Sequence, residues 1–276
     1  MRASLPMYGG PATRAALTEF WAAWRDRIRD AGLSAPDTLD DDRPAVAAST
    51  PPFSYADAWW SPDLVVSQTC GLPFARDLQD AARLIATPCY DAPGCVGPMY
   101  SSAIVVRSTS AATRLADLRG ATFAANSDDS QSGYHAFRVA IRALAANGRF
   151  VAQTVMTGSH AASLDAVADG TADAAAIDCV SLALARRNVL PALAKVRVLD
   201  WTPPTPGLPF ITAGTRSDRE VEILRETLRD CLRDPALEPV RAAMLLIGVE
   251  LLTPADYAPL ARAASYATAS GLRLPR

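Results

Sequence analysis

Apolar positions early in the chain fall on one helical face. Leu17, Phe20, Trp21, Trp24 and Ile28 lie at i, i+3, i+4, i+7 and i+11, which predicts a helix over residues 12–31 with a buried stripe. Pro11 suits its first turn, and Gly32 its end. Residues 3–7 (ASLPM) read as a short strand before it, ending at Tyr8-Gly9-Gly10. Residues 34–52, rich in Asp, Pro, Ser and Thr, read as a loop. Short apolar runs then predict strands at 63–67 (DLVVS), 84–87 and 100–107 (YSSAIVVR). A helix is expected over 74–82, and a Pro/Gly/Cys loop over 88–98.

The pattern then alternates. Strands are predicted at 121–125 (ATFAA), 153–157 (QTVMT), 172–177 (ADAAAI) and 195–200 (KVRVLD). A short helix and turn at 115–120 precedes them, and helices follow over 134–146, from His160 to 168 and from Cys179 to 188. Strands alternating with helices of this length predict an α/β protein with a doubly wound, mostly parallel sheet. Residues 201–207 (WTPPTPG) are the clearest linker, because prolines cannot continue regular structure. A strand at 208–213 and helices at 218–233, 235–247 and 254–265 complete the chain.

Composition narrows the classes. With 276 residues, half of them hydrophobic, the chain can bury one large core or two of ordinary size. Its 27 basic and 29 acidic residues leave a net charge of −2, which gives no support to nucleic-acid or anionic-membrane binding. No apolar run is long enough to span a bilayer. The start, MRASLPMYGG, has no apolar segment followed by a small-residue cleavage site, so a cytoplasmic protein is expected, or a periplasmic one whose leader has been removed. Five cysteines in no metal-type spacing are expected to be free thiols; Cys89 and Cys95 could bridge in an exported protein.

The candidate chemistry centres on residues 126–137, NSDDSQSGYHAF, between a strand and a helix. Exposed N–H groups at a helix start favour a bound anion. Ser130, Gln131 and Ser132 add hydroxyl and amide donors, and Gly133 permits close backbone approach. The alternative is that Asp128, Asp129 or Ser130 only caps the helix. Three further strand-to-helix turns carry polar residues: Ser159/His160, Asp178 and, earlier, Gln68/Thr69. Ligands of open parallel sheets bind beyond the carboxyl ends of strands, so all four turns could line one cleft if the two parts of the chain face each other.

The segments SQSGY at 130–134, TGSHAASLDAVADGTADAAAID at 157–178 and QTCGLP at 68–73 resemble the phosphate/phosphonate-type solute-binding proteins of ABC importers. The resemblance implies a type II periplasmic-binding-protein fold. Two α/β lobes joined by two hinge segments are then expected, residues 1–103 with 208–276 in one and 104–207 in the other. It implies a small anionic or polar ligand in the cleft between them. Ser130, Gln131, Ser132 and Gly133 match the family's oxyanion loop, His160 a histidine that bonds the head group, and Asp178 an acid that accepts from the ligand's amine or acidic proton. Gln68, Thr69, Tyr100 and Tyr8 match first-lobe and hinge contacts. An ABC permease is the implied partner, or, for a cytosolic sensor derived from the family, none. Gln131 stands where the family usually has Thr, and Asp128 and Asp129 would repel a dianion unless they point away or accept its proton, which favours a monoprotonated or organic anion.

Catalytic residues do not assemble along the chain. His135, His160 and Cys179 allow a Cys–His pair, but Asp178 beside Cys179 disfavours a thiolate. No metal spacing and no cofactor motif is present. The same fold also carries biosynthetic enzymes of the thiamine-precursor and menaquinone-pathway type, which is the alternative reading.

Overall fold

The computed structural model describes residues 1–10, 13–42, 55–269, 271–272 and 274–275. The expectations for Pro11, for Ala12 as the first helical residue and for the 43–52 part of the loop lie outside the described residues. The chain divides into two compact units, Met1–Asp91 with Pro206–Tyr257, and Ala92–Thr205 with Ala258–Arg276.

The first unit is built on a five-stranded sheet in the order Arg2–Ser4, Leu64–Gln68, Phe210–Ala213, Ala82–Tyr90, Leu246–Glu250. Arg2–Ser4 runs parallel to Leu64–Gln68, but Phe210–Ala213 is antiparallel to both its neighbours and Leu246–Glu250 to Ala82–Tyr90. The sheet is therefore mixed, not mostly parallel. The strand with which the chain re-enters this unit is inserted between two earlier ones, and an inserted strand need not follow the direction that crossover helices impose.

Helix Arg14–Asp30 buries the predicted stripe of Leu17, Phe20, Trp21, Trp24 and Ile28. Trp24 stands edge-on to Phe210, with ring centroids 5.6 Å apart, and its indole N–H donates to Thr227 Oγ1 at 3.1 Å. Thr227 belongs to helix Asp218–Arg233, which starts at a capping box formed by Ser217 and Glu220. Two predicted helices are shorter. The first, expected over 74–82, is Gly71–Arg76, and the strand after it lengthens to Ala82–Tyr90. The second, expected over 235–247, stops at Ala243, and Leu246–Glu250 is an edge strand instead. Leu245 takes a left-handed conformation, φ +61°, which ends the helix.

The second unit holds another five-stranded sheet, ordered Val196–Trp201, Ser102–Arg107, Ala174–Asp178, Thr122–Ala125, Gln153–Met156. The last three are mutually parallel, and Ser102–Arg107 is antiparallel to its two neighbours. Alternate residues feed two cores. Ile104, Val106 and Phe123 pack with Phe137 and Ile141, while Ala103, Val105 and Ala124 pack with Leu164 and Val167. A period of two with both faces buried is what helices on both sides of a sheet require. The unit bounds differ from those expected. Ser102–Arg107 lies inside this sheet, so the change of unit comes before residue 103. Leu272 and Leu274 enter the second core, and the Leu272 carbonyl accepts from Arg138 Nη2 at 2.7 Å, so residues after 257 belong here too.

The Trp24 contacts define a test of the first core. Trp24→Ala is expected to cost about 3–5 kcal/mol, and Thr227→Val, which strands the indole N–H, about 1–3 kcal/mol. Urea denaturation of each variant against wild type measures both.

Candidate functional site

Three turns leave the second sheet at one edge, because Thr122–Ala125, Gln153–Met156 and Ala174–Asp178 run the same way. The start of the antiparallel Ser102–Arg107 lies at that edge as well, with Ser102 paired to Asp178. The first two turns are tied together: Thr157 N donates to Ala125 O at 2.8 Å, and Gly158 N to Asn126 O at 3.0 Å. Thr157 Oγ1 also reaches Ala125 O at 3.1 Å and shares a hydrogen with Ser163 Oγ at 2.6 Å.

After Asn126 the chain enters a π-helical turn, Gln131–His135, continued by helix Ala136–Ile141. Such turns are wider than an α-helix and are frequent at functional positions. Ser130 caps the turn, its Oγ accepting from Gly133 N at 3.0 Å. The capping reading of this residue is therefore correct as geometry, and the Gly133 N–H is committed to Ser130 rather than to a ligand. Ser132 is buried, and its Oγ lies 3.0 Å from His160 Nε2. His160 begins helix His160–Asp169, which Ser159 caps by accepting from Ala162 N at 3.1 Å. Burial holds the His160 pKa down to about 4, against a smaller opposing pull from the Ala176 backbone, so the ring is neutral at pH 7.

Any side chain at Gly133 would have to displace Asn126. A Cβ on it would stand 1.8 Å from Asn126 Oδ1 and 3.2 Å from His160 Cε1, so the two turns meet over its bare α-carbon. Asn126 Oδ1 is buried there with no hydrogen-bond partner in the structure. Asp128 and Asp129 are exposed; Asp129 Oδ1 accepts from Ser127 Oγ at 2.5 Å, and the Asp128 carbonyl lies 2.9 Å from His135 Nε2. Neither acid is buried against the turn.

Asp178, 2% exposed, caps helix Cys179–Arg187, with Oδ1 accepting from Val180 N at 2.8 Å and Ser181 N at 3.0 Å. Tyr100 is buried in the hairpin that leads to Ser102–Arg107. The structure thus brings Ser130, Gln131, Ser132, Gly133 and His160 together, with Asp178 and Tyr100 along the same sheet edge. The Cys–His pair is not formed. Cys179 faces Cys95, and His135 is bonded within its own loop and lies 3.3 Å from Arg138 Nη1. Among the described residues no group of three or more His, Cys, Asp or Glu side chains could hold a metal ion.

In the first unit, Gln68 ends strand Leu64–Gln68 and is 3% exposed. Its Nε2 donates to Tyr90 Oη and to Leu208 O, each at 3.0 Å. Tyr8 stands edge-on to Tyr90, with ring centroids 5.1 Å apart. With Leu5, Phe20, Phe210 and Met244 these residues line a small, largely apolar cavity of about 20 Å³. Thr69 is fully buried, its N–H donating to Pro209 O at 3.1 Å, so it holds the returning segment and does not line the cavity.

The family of phosphonate ABC-transporter periplasmic substrate-binding proteins matches residues 62–257. The chain belongs to that family.

The fold of this phosphonate-family protein agrees with solved structures. A binding-protein component of an ABC phosphonate transporter from Pseudomonas aeruginosa shares 16% identity at a TM-score of 0.69, covering 98% of this chain and 87% of that one. PhnD1 from Prochlorococcus marinus, in complex with methylphosphonate, shares 14% at 0.72, over 97% and 98%. A Xanthomonas citri protein bound to ATP shares 16% at 0.68, over 98% and 97%. At these identities the likeness is one of fold, the two-lobed periplasmic-binding-protein type.

Sequence reasoning missed Asn126 and Tyr90. Asn126 opens the stretch already singled out, at the first position after a buried strand, which was the available signal. Nothing in the sequence marks Tyr90, which comes to Gln68 only through the sheet.

Two outcomes test this geometry. Gly133→Ala is expected to lower the melting temperature of this phosphonate-family protein, and Asn126→Ala in the same chain to recover much of the loss, since the clash is with that side chain; a double-mutant cycle measures the coupling. The depressed pKa of His160 makes a pH prediction. Both states hold it neutral above about 6.5, so its full contribution is present there and is lost as pH falls toward 4, by up to roughly 3 kcal/mol. Denaturation at stepped pH should show a shallower decline for His160→Gln.

Proposed function

We propose that this protein binds the anionic head group of a small phosphonate- or phosphate-type solute at the Ser130–Gly133 turn and serves as the solute-binding component for an ABC permease. The observation that carries the reading is the pairing of buried Ser132 with half-buried His160, 3.0 Å apart, at the first turn of a helix. The leading N–H groups of a helix have no acceptor within it and carry partial positive charge. Ser130 can cap and bind at once: accepting from Gly133 leaves its own hydroxyl hydrogen for a ligand oxygen. Ser132 supplies a second hydroxyl, and His160 a ring whose neutral form bonds an oxygen without a fixed charge.

An anion placed beside His160 raises its pKa, so binding takes up a proton and affinity rises as pH falls below 7. Asp178, at the same sheet edge, selects a ligand that brings a hydrogen, either a monoprotonated head or an amine. The family supports a phosphonate-type solute, and the methylphosphonate complex of the Prochlorococcus marinus protein supports a head group of that size. The family is periplasmic by description, which supports export, with a cytosolic sensor as the departure from it.

Calorimetry with methylphosphonate, inorganic phosphate and sulfate tests the reading. A hydrogen bond to a charged group contributes about 1.5–3 kcal/mol, so Ser132→Ala should weaken binding about tenfold or more. His160→Ala should cost at least as much, and more at pH 6 than at pH 8. Asp178→Asn should strengthen binding of a fully ionised anion and weaken that of one donating a proton. Gln68→Ala, Tyr8→Phe and Tyr100→Phe report whether those residues take part. Folded Ser132, His160 and Asp178 variants that all bind like wild type would place the site elsewhere.

A further inference from the structure

Two cysteines distant in sequence meet inside the second unit. Cys179 opens helix Cys179–Arg187 immediately after Asp178 and is 1% exposed; Cys95 starts the Cys95–Val96/Met99–Tyr100 hairpin and is half-buried. Their Sγ atoms lie 3.3 Å apart as free thiols. A disulfide needs about 2.05 Å between sulfurs and Cβ atoms about 3.5–4.5 Å apart, so closing the pair takes about 1.3 Å of sulfur movement.

The backbones on both sides are already pinned by contacts that do not involve sulfur. Cys179 N donates to Ser101 O at 3.3 Å, and Ser101 N to Gly94 O at 2.9 Å. A Cβ on Gly94, the residue before Cys95, would stand 2.9 Å from Cys179 Cβ and 2.6 Å from the Trp201 ring, so the hairpin lies flat against the helix start. Cys89, the partner that spacing along the chain suggests for Cys95, is buried in the first unit's sheet, paired to Gly248.

We infer that Cys95 and Cys179 form a reversible disulfide that fastens the hairpin leading to Tyr100 onto the Asp178 turn, made by exchange with a small-molecule or protein disulfide. Cys95, the more exposed, meets the oxidant first. Its thiolate attacks one sulfur of the oxidant, whose S–S bond breaks and releases a thiolate, leaving a mixed disulfide on Cys95. Cys179 then loses its proton and attacks Cys95 Sγ, expelling the second thiol. Two protein thiols are oxidised, one disulfide is reduced to two thiols, and those thiols carry the two protons. In the reduced pair the hydrogen bond with Cys95, burial and the Asp178 carboxylate push the Cys179 pKa up; the last two persist once Cys95 is capped and make the second step the slow one.

The test uses the full chain and oxidised glutathione. Reduced protein, denatured and alkylated, should label all five cysteines, and oxidised protein three, with a Cys95–Cys179 linked peptide in a non-reducing digest. Dithiothreitol should restore five. A bridge closing so long a loop should raise the melting temperature of the oxidised form by at least about 5 °C. Cys95→Ser should label four under both conditions; Cys179→Ser should label four when reduced and three when oxidised, with glutathione held on Cys95, and neither should show such a shift. In the wild type, five labelled cysteines after oxidation, a different linked pair, or glutathione left on Cys95 with no linked peptide overturns the inference. Labelling and mapping of the wild type decide it even if a variant fails to fold.

Discussion

Because Ala174–Asp178, Thr122–Ala125 and Gln153–Met156 are adjacent and parallel, their last residues stop along one edge, and the turns that follow must share it. The rest of the second unit serves that constraint. Alanines dominate the innermost strand, Ala174, Ala175 and Ala176 among them, which lets flanking helices pack close to both faces. Hydrogen bonds from Thr157 and Gly158 to Ala125 and Asn126 then lock the first two turns in register, and the bare α-carbon of Gly133 lets them touch. Ser132 and His160, one on each turn, then lie 3.0 Å apart.

In the proposed reading this edge would hold an anion without presenting a formal positive charge to it. Helix-end N–H groups, hydroxyls and a neutral imidazole hold oxygens by direction, and direction distinguishes a tetrahedral head from a planar one. Capping and binding, which compete as explanations of a Ser/Asp-rich turn, draw on different parts of the same hydroxyl: a lone pair for the cap, a hydrogen for the ligand. The carboxylate of Asp178 is held by two backbone N–H groups, so its position is fixed before any solute arrives.

The stripe of Arg14–Asp30 and the bounds of Asp218–Arg233 were legible, because one-sided burial at a period near 3.6 depends only on local sequence. So were the strands ending at Ala125, Met156 and Asp178, and with them the turns that carry Ser132 and His160. Strand direction in the first sheet was not, since it depends on where Phe210–Ala213 re-enters. The apolar run at 244–247 fits a helix as well as a strand, and only the left-handed turn at Leu245 decides it. Asn126 and the Cys95–Cys179 pair were hidden for a related reason: each acquires its role from a backbone approach made elsewhere in the chain.

The interleaved chain order has a consequence for biosynthesis. Neither unit is a continuous stretch: the first is completed only by residues 206–257, the second only by residues after 257. On the ribosome the central strand Phe210–Ala213 is still missing when the other strands that flank its slot have long emerged, so the first sheet cannot close early. Until residues 206–257 have been made, the strands on either side of that slot keep unpaired edges. Open strand edges of that kind are prone to pair with another chain for as long as the slot stays empty.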